Sequence, residues 1–158
     1  MMIQSERFGT IEMADEELLH FPAGVVGFPA EREFVLVRHG ESSVVAWLQS
    51  IKTPGLALPV VSAHDLSPEY PDVALETLAE HAGLGSNPDE LAVVVVLCAP
   101  RGLPATVNLL APIVVNATTR KGAQIFLEGS RFTTRELFSL PGAQPAAGPA
   151  AENAAAAG

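Results

Sequence analysis

The sequence is poor in the residues that support disulfides, secretion or membrane insertion. Cys98 is its only cysteine, so no internal disulfide can form. The longest uninterrupted apolar run, 91–100, is far shorter than the roughly twenty residues that a membrane-spanning helix needs. The first ten residues are polar and lack the apolar segment of a signal peptide. These absences predict a soluble, cytoplasmic protein that does not insert into a membrane.

Basic residues are also scarce. Nine lysines and arginines stand against eighteen aspartates and glutamates, which gives a net charge of −9. Neutralisation of phosphates by basic side chains supplies most of the sequence-independent affinity for nucleic acid, so we expect no direct nucleic-acid partner. An acidic surface is instead compatible with a basic protein partner, or it serves only solubility.

Residue patterns that support catalysis or metal binding are missing as well. The four histidines are 19, 25 and 17 residues apart and form no His-x-His or helical i, i+4 pair. Ser62, His64 and Asp65 are the residue types of a catalytic triad, but neighbours in one loop do not readily reach that geometry. Cys98 lies in a valine-rich run, which indicates an inert buried thiol. We therefore expect no enzymatic activity, no metal and no cofactor, with a hydrolase centred on His64 kept as an alternative.

Short apolar runs separated by turn residues predict an all-β fold, mainly antiparallel and barrel-like, with one short helix. The helix is expected to have Ser67 as its N-cap, Pro68 at its first position and Gly83 at its end. About nine strands are expected, in 3–13 (one bent strand or a pair), 33–38, 43–50, 56–62, 91–99, 106–116, 123–127 and 131–134.

The last eighteen residues have a different composition from the rest of the chain. Nine alanines, three prolines and three glycines fill 141–158, with Glu152 as the one charge. Such a segment has no branched apolar residue to bury and little to offset the entropy of ordering. The folded domain is therefore predicted to span 1–140, followed by a disordered Ala/Pro-rich tail.

The stretch around which the chain is organised is 106–116, which is followed by a turn-like segment at 117–122 and a second extended run at 123–127. An aliphatic run, a turn-like segment and a second extended run predict a β-hairpin, with Gly122 in a left-handed or bulge conformation. Pro112 cannot donate to a β-ladder. It therefore either bends its strand or leaves it at an exposed edge, which could accept a strand from a partner.

Side chains in these runs fit recognition better than catalysis. Trp47 and Gln49 share one face of a predicted strand, which places an apolar anchor beside a hydrogen-bonding amide. Asn108 and Asn116 lie in or next to an apolar strand, where an amide either meets a partner or caps a turn and satisfies buried backbone groups. Both interpretations stay open from the residues alone.

Four segments together resemble the FliW family of flagellar assembly factors. They read FPAGVVGF at 21–28, WLQS at 47–50, TVNLLAPIVVN at 106–116 and TRKGAQ at 119–124, in the order and spacing of the family. The resemblance covers about residues 3 to 138 and implies a small β-barrel-like fold without enzymatic activity. The residues that match family motifs, and that we expect to contact a partner, are Trp47, Gln49, Asn108, Asn116 and Gln124.

The resemblance further implies two protein partners. One is flagellin, and the other is the translational repressor CsrA, a small basic RNA-binding dimer that represses flagellin translation. In the family, FliW released from secreted flagellin binds CsrA and relieves this repression. The alternative to such a regulator is a β-barrel that binds a small ligand or a flavin, which needs a concave pocket with converging polar groups.

Overall fold

The computed structural model describes residues 1–38, 44–66, 70, 75–128 and 131–138. These residues form mainly antiparallel β-structure with one short α-helix, which confirms the predicted fold class. The strands are β1 Met2–Ser5, β2 Gly9–Glu12, β3 Leu19–His20, β4 Glu33–Arg38, β5 Val45–Ser50, β6 Ala57–Ser62, β7 Leu91–Cys98, β8 Thr106–Val107, β9 Ile113–Asn116, β10 Gly122–Gln124 and β11 Glu136–Leu137. Helix α1, Leu75–His81, lies between β6 and β7, and short 3₁₀ turns occupy Asp15–Glu17, Ala63–Asp65 and Pro88–Glu90.

The main sheet curls until its two edges meet. Its strands follow the order β10-β9-β7-β6-β5-β4-β3, while β8 joins β7 to β11 and β1 pairs with β2 in a separate hairpin. At the seam, His20 forms one parallel bridge with Lys121, and the His20 N–H donates to the Arg120 carbonyl at 2.8 Å. One bridge replaces a continuous ladder there, so the sheet is barrel-like without being a closed barrel.

Strand β7 is apolar on both faces because both faces pack against core. Val94 and Val96 contact a cluster that includes Phe21, Phe34 and Ile113. The alternate residues of β7 contact a second cluster on the opposite face of the sheet, and these are Val93, Val95 and Leu97. The valine run thus packs on both faces as predicted, but only Val95 and Leu97, on one face, are fully buried, whereas Val94 and Val96 on the other are half-buried.

The end of helix α1 is as predicted. Gly83 adopts a left-handed φ of 78°, and the Leu84 N–H donates to the Ala79 carbonyl at 2.8 Å, which satisfies the last turn. Ala79 is completely buried against Leu84 and Val114. The predicted N-cap, Ser67 with Pro68, lies outside the described residues.

The 106–116 run is two strands, not one. Strand β8 pairs with β7 and β11, whereas β9 lies between β7 and β10. Pro112 stands immediately before β9, so the bend is the correct one of the two alternatives. The exposed edge at this proline was a wrong expectation, because β9 has a hydrogen-bonded neighbour on each side.

The expectation for Gly122 was also wrong. The left-handed residue of this turn is Arg120, with a φ of 62°. Gly122 is required for a different reason, because a Cβ atom there would lie 2.7 Å from the Phe21 ring. The glycine thus lets β10 approach a phenylalanine that is itself completely buried.

The last predicted strand is displaced. Residues 131–134 form no strand, and β11 begins at Glu136 instead. The Thr133 carbonyl accepts hydrogen bonds from the N–H groups of Leu109 and Leu110, each at 3.1 Å, so this segment still crosses the 106–116 run. The turn predicted at 39–42 and the tail at 141–158 lie outside the described residues, so the domain boundary stays a prediction.

Within the described part of the chain, no helix has the length and apolar character needed to cross a membrane.

Candidate partner-binding surfaces

Trp47 is a buried side chain on β5 that contacts two residues of the turn between β1 and β2. Its indole is 4% exposed. Phe8 meets it edge-on with ring centroids 6.1 Å apart, and the Arg7 guanidinium carbon lies 3.9 Å from the centroid of the indole ring. Loss of hydration in this position lowers the pKa of Arg7 from its usual value. The turn between β1 and β2 therefore covers the indole, and contact of Trp47 with a partner stays a prediction.

Gln49 is a fully buried amide that joins β5 to two other segments. Its Oε1 accepts a hydrogen bond from the Ser5 hydroxyl at 2.8 Å. Its Nε2 donates to the carbonyls of Ser50 at 3.0 Å and of Pro54 and Leu56 at 3.2 Å each. The Pro54 and Leu56 carbonyls also accept from the N–H groups of Glu6 and Ser50, each at 2.9 Å, so Gln49 adds a second donor to each of them. In this conformation Gln49 ties the 50–56 turn to β1 and offers no atom to the surface.

The two asparagines cap turns. Asn116 is buried; its Nδ2 donates to the Leu84 carbonyl at 2.8 Å, and its Oδ1 accepts from the N–H groups of Thr118 and Thr119 at 2.8 and 2.9 Å. Asn108 is half-buried, and its Oδ1 accepts from the Ala111 N–H at 3.0 Å. These are the structural roles that the sequence left open, and contact of either asparagine with a partner stays a prediction.

Gln124 connects two segments that are far apart in sequence. Its Oε1 accepts from the Val26 N–H at 2.8 Å, and its Nε2 donates to the Ala111 carbonyl at 2.9 Å. One half-buried amide thereby holds the 21–29 loop against the hairpin of β9 and β10. The sequence gives no signal for this link, because the two partners lie 98 residues apart.

The five predicted residues do not form one site. Trp47 and Gln49 lie on β5, whereas Asn108, Asn116 and Gln124 belong to the 106–124 hairpin region, with β6 and β7 between the two groups. Their shared property is that each has a partner within the chain. Binding of another protein by these five residues stays a prediction.

Exposed apolar side chains were not singled out from the sequence. Val26 and Phe126 are 60% and 54% exposed, although each belongs to a segment with buried neighbours. The exposure of Val26 could have been predicted from its position between Gly24 and Gly27 in a tight turn. The exposure of Phe126 could have been predicted from the alternation of side chains along the strand beyond β10. The other large apolar residues with high exposure are Met2, Leu103 and Leu137.

Acidic side chains are exposed in two segments. One runs through β2 and the following 3₁₀ turn, and the other covers α1 and the turn before β7. The members are Glu12, Asp15, Glu16 and Glu17 in the first segment, and Glu76, Glu80 and Asp89 in the second. Exposed carboxylates of one sign create a field that attracts a basic partner and repels a second copy.

The described residues contain no group of three or more histidine, cysteine or acidic side chains placed to hold a metal ion. The side chain of His64, the centre of the hydrolase alternative, lies outside the described residues.

Comparison with known proteins agrees with the residue pattern. The family model described as "FliW protein" matches residues 2–138. The chain belongs to the FliW family of flagellar assembly factors. A relative from Heliobacterium modesticaldum, named flagellar assembly factor FliW, is 37% identical over 135 residues, which cover 85% of this chain and 88% of the relative. Another of the same name, from Thermotoga neapolitana, is 36% identical over 140 residues, covering 87% and 93% of the two chains.

The fold agrees with a solved FliW structure. A crystal structure of the flagellar assembly factor FliW superposes with a TM-score of 0.76 and 28% sequence identity, covering 88% of this chain and 98% of that one. All five predicted contact residues lie inside the 2–138 span that matches the FliW family. The match to the family, over residues 2–138, therefore includes every strand and helix of the described fold.

Proposed function

We propose that this protein is a non-enzymatic, cytoplasmic regulator of flagellar assembly that binds flagellin and CsrA. By occupying CsrA it relieves repression and allows flagellin to be translated. The observation that carries this proposal is membership of the FliW family over residues 2–138. The function needs two protein-binding surfaces and no reacting group.

The charge of the protein supports the CsrA part of the proposal. Eighteen acidic residues against nine basic ones give a field that accelerates encounter with a basic protein. Because exposed charges are screened within about 8 Å at physiological salt, the affinity for CsrA should fall as salt rises.

The test is calorimetric titration of the full chain with CsrA and, separately, with flagellin from the same source. Saturation at a defined stoichiometry with each partner is the expected result. The double variants Glu12→Gln/Glu16→Gln and Glu76→Gln/Glu80→Gln neutralise one acidic segment each, so comparing them locates the surface that CsrA meets. Absence of binding to both partners by folded protein would contradict the proposal and favour the ligand-binding barrel.

A further inference from the structure

We propose that the outer edge of strand β2 is a strand-addition site, which binds an extended segment of another protein in which basic and apolar side chains alternate. Strand β2 pairs only with β1, so in the described part of the chain one of its two edges has no neighbouring strand. The segment is defined by its chemistry, so the site does not depend on either partner named above.

The pairing of β1 with β2 determines which backbone groups point outwards. The Met1 amine donates to the Met13 carbonyl at 2.8 Å, and the Met13 N–H donates to the Met1 carbonyl at 2.9 Å, so these two residues form a hydrogen-bonded pair. Hydrogen-bonded and non-hydrogen-bonded pairs alternate along an antiparallel ladder. In this register Thr10 and Glu12 occupy non-hydrogen-bonded positions, so their N–H and C=O groups point away from β1.

These outward groups form an open edge. Thr10 and Glu12 are exposed, and among the described residues nothing is hydrogen-bonded to their backbone N–H and C=O groups. An extended peptide binds to such an edge by pairing with these groups. Two strands alone make only a marginally stable sheet, so a third strand stabilises the β1–β2 ribbon.

The edge is held in place through the other strand of the ribbon. Ile3 on β1 is buried, and the Ser5 hydroxyl donates to Gln49 Oε1 at 2.8 Å. Directly after β1, the Glu6 N–H donates to the Pro54 carbonyl at 2.9 Å. Because the ribbon is already ordered, an incoming strand loses its own conformational freedom while the edge loses little.

Acidic side chains border this edge and define the charge of the segment that fits it. Between Arg7 and Arg32 the chain contains no lysine or arginine. An added strand with a basic residue opposite Glu12 gains an opposite-charge pair across the ladder, which stabilises β-pairing. The exposed acids on β2 and in the 3₁₀ turn that follows it are Glu12, Asp15, Glu16 and Glu17.

These acids differ in how far they are already paired. The Asp15 side chain lies 3.9 Å from the Met1 amine but is 88% exposed. The Glu17 carboxylate accepts a hydrogen bond from a backbone N–H of its own turn. Glu12 and Glu16 form no ion pair within the described residues. Glu12, which lies on the strand itself, is therefore open to a basic side chain.

The two faces of the ribbon give the segment its alternating pattern. Thr10 and Glu12 share the exposed face, where Met2, directly opposite Glu12, is 62% exposed. Ile11 points to the other face, is half-buried and pairs with the buried Ile3. A strand added beside β2 thus places alternate side chains next to Glu12, where a basic residue fits, and next to Ile11, where an apolar residue fits.

A second copy of this chain fits the edge less well. Pairing of two β2 edges would bring the same acidic residues of both chains together, and like charges across a ladder are destabilising. The net charge of −9 on each copy adds to this repulsion.

The experiment measures the binding of a fluorescently labelled hexapeptide of alternating lysine and valine to the full-length protein by fluorescence anisotropy. Saturable binding is expected, and it should weaken as salt rises, because the paired charges are exposed. The same peptide N-methylated at every residue keeps its charges but cannot donate hydrogen bonds to a strand, so it should not bind. A hexapeptide of alternating glutamate and valine should not bind either.

Thr10→Pro and Gln4→Pro are a matched pair of variants. Both lose the hydrogen bond of 3.2 Å from Thr10 Oγ1 to Gln4 Oε1, and both place proline where the N–H points out of the ribbon. Only Thr10→Pro blocks the edge of β2. We expect it to weaken binding of the lysine–valine peptide by about fivefold or more, and Gln4→Pro to leave binding within about twofold. If Thr10→Pro does not fold, Glu12→Lys is compared with Glu76→Lys on α1, and only the first should weaken binding by about threefold or more.

Each outcome decides the site. Equal binding by wild-type protein and Thr10→Pro, or binding of the N-methylated peptide, would show that charge alone attracts the peptide and would overturn the strand-addition site. Absence of saturable binding by wild-type protein would overturn it as well. A dimer in sedimentation equilibrium that Thr10→Pro dissociates would assign the edge to a second copy instead. The titrations with flagellin and CsrA are independent of these results, so the proposed function is tested separately.

Discussion

At the scale of single residues, the amide of Gln49 contributes to folding through a buried hydrogen-bond network. Gln49→Leu keeps the approximate size of the side chain but removes the acceptor of the Ser5 hydroxyl and one donor to each of three carbonyls. Two of these, Pro54 and Leu56, keep a backbone N–H donor. We expect the free energy of unfolding to fall by about 1–3 kcal/mol, since that is the cost of leaving a buried polar group such as the Ser5 hydroxyl without its partner. Urea denaturation measures this loss. Gln4→Leu, the same change at an exposed strand position, is the control; equal losses for the two variants would refute a special role for Gln49.

Gly122 is predicted to be intolerant of even one methyl group. In Gly122→Ala the new Cβ atom meets the Phe21 ring and lies 3.2 Å from Val115 Cγ2, and neither neighbour is a flexible surface side chain. Overpacking of this kind costs about 1–3 kcal/mol. The control is Gly55→Ala, where the new methyl group meets only the end of the flexible Glu6 side chain. Thermal unfolding should show a clear fall in Tm for the first variant and a small change for the second.

Tyr70 gives a prediction that depends on pH. Its hydroxyl donates to the Leu109 carbonyl at 3.0 Å, and burial raises the pKa of the phenol above its usual value of 10.0. The folded protein thus keeps a proton that the unfolded chain releases above pH 10, so the free energy of unfolding falls as pH rises beyond that point. Because Tyr70 is the only tyrosine, its ionisation can be followed by absorbance.

The folded protein should show no phenolate absorbance at about pH 11, while protein in urea should ionise near pH 10. Tyr70→Phe is the matched variant, and its stability should fall less over the same alkaline range. A titration midpoint near 10 in protein that remains folded would show that the phenol is hydrated.

At the scale of elements, Arg120 joins the two edges of the sheet. Its Nη2 donates to the Glu17 carbonyl at 2.9 Å, and its own carbonyl accepts from the His20 N–H. Arg120→Ala and Arg120→Gly both lose the guanidinium, but only glycine adopts a φ of 62° without strain. We expect the glycine variant to be the more stable of the two by about 0.5–1 kcal/mol in urea denaturation. An alanine variant of equal or greater stability would show that the turn relaxes in solution.

The same elements show which structural features can be predicted from local sequence patterns and which cannot. Periodicity and turn residues were sufficient for β4, β7 and the stop at Gly83, because these depend on neighbours along the chain. The roles of Gln49, Gln124 and Gly122 depend on distant partners, since Val26 lies 98 residues from Gln124 and Phe21 lies 101 residues from Gly122 (122 − 21), and no local pattern contains that information. The left-handed residue of the turn is Arg120, and Gly122 instead lies against the Phe21 ring, a neighbour that comes from a distant part of the chain.

At the scale of the whole molecule, the excess of acidic residues makes salt act in opposite directions on folding and on binding. The net charge of −9 repels itself within the compact fold, and salt screens this repulsion. The midpoint of urea denaturation should therefore rise between low and high sodium chloride. Under the proposed function, the affinity for CsrA should fall over the same range, because the same screening weakens attraction between opposite charges.

The double variant Glu76→Gln/Glu80→Gln separates the effect of salt on folding from its effect on binding. It reduces the net negative charge from −9 to −7. Its stability should depend less on salt than that of the wild-type protein, whether or not helix α1 meets CsrA. A stability that falls as salt is added would mean that specific ion pairs, rather than net repulsion, dominate the electrostatics of folding. In that case the net negative charge would not reduce the stability of the fold. The acidic surface could then no longer be explained as a feature that attracts a basic partner at a cost in stability.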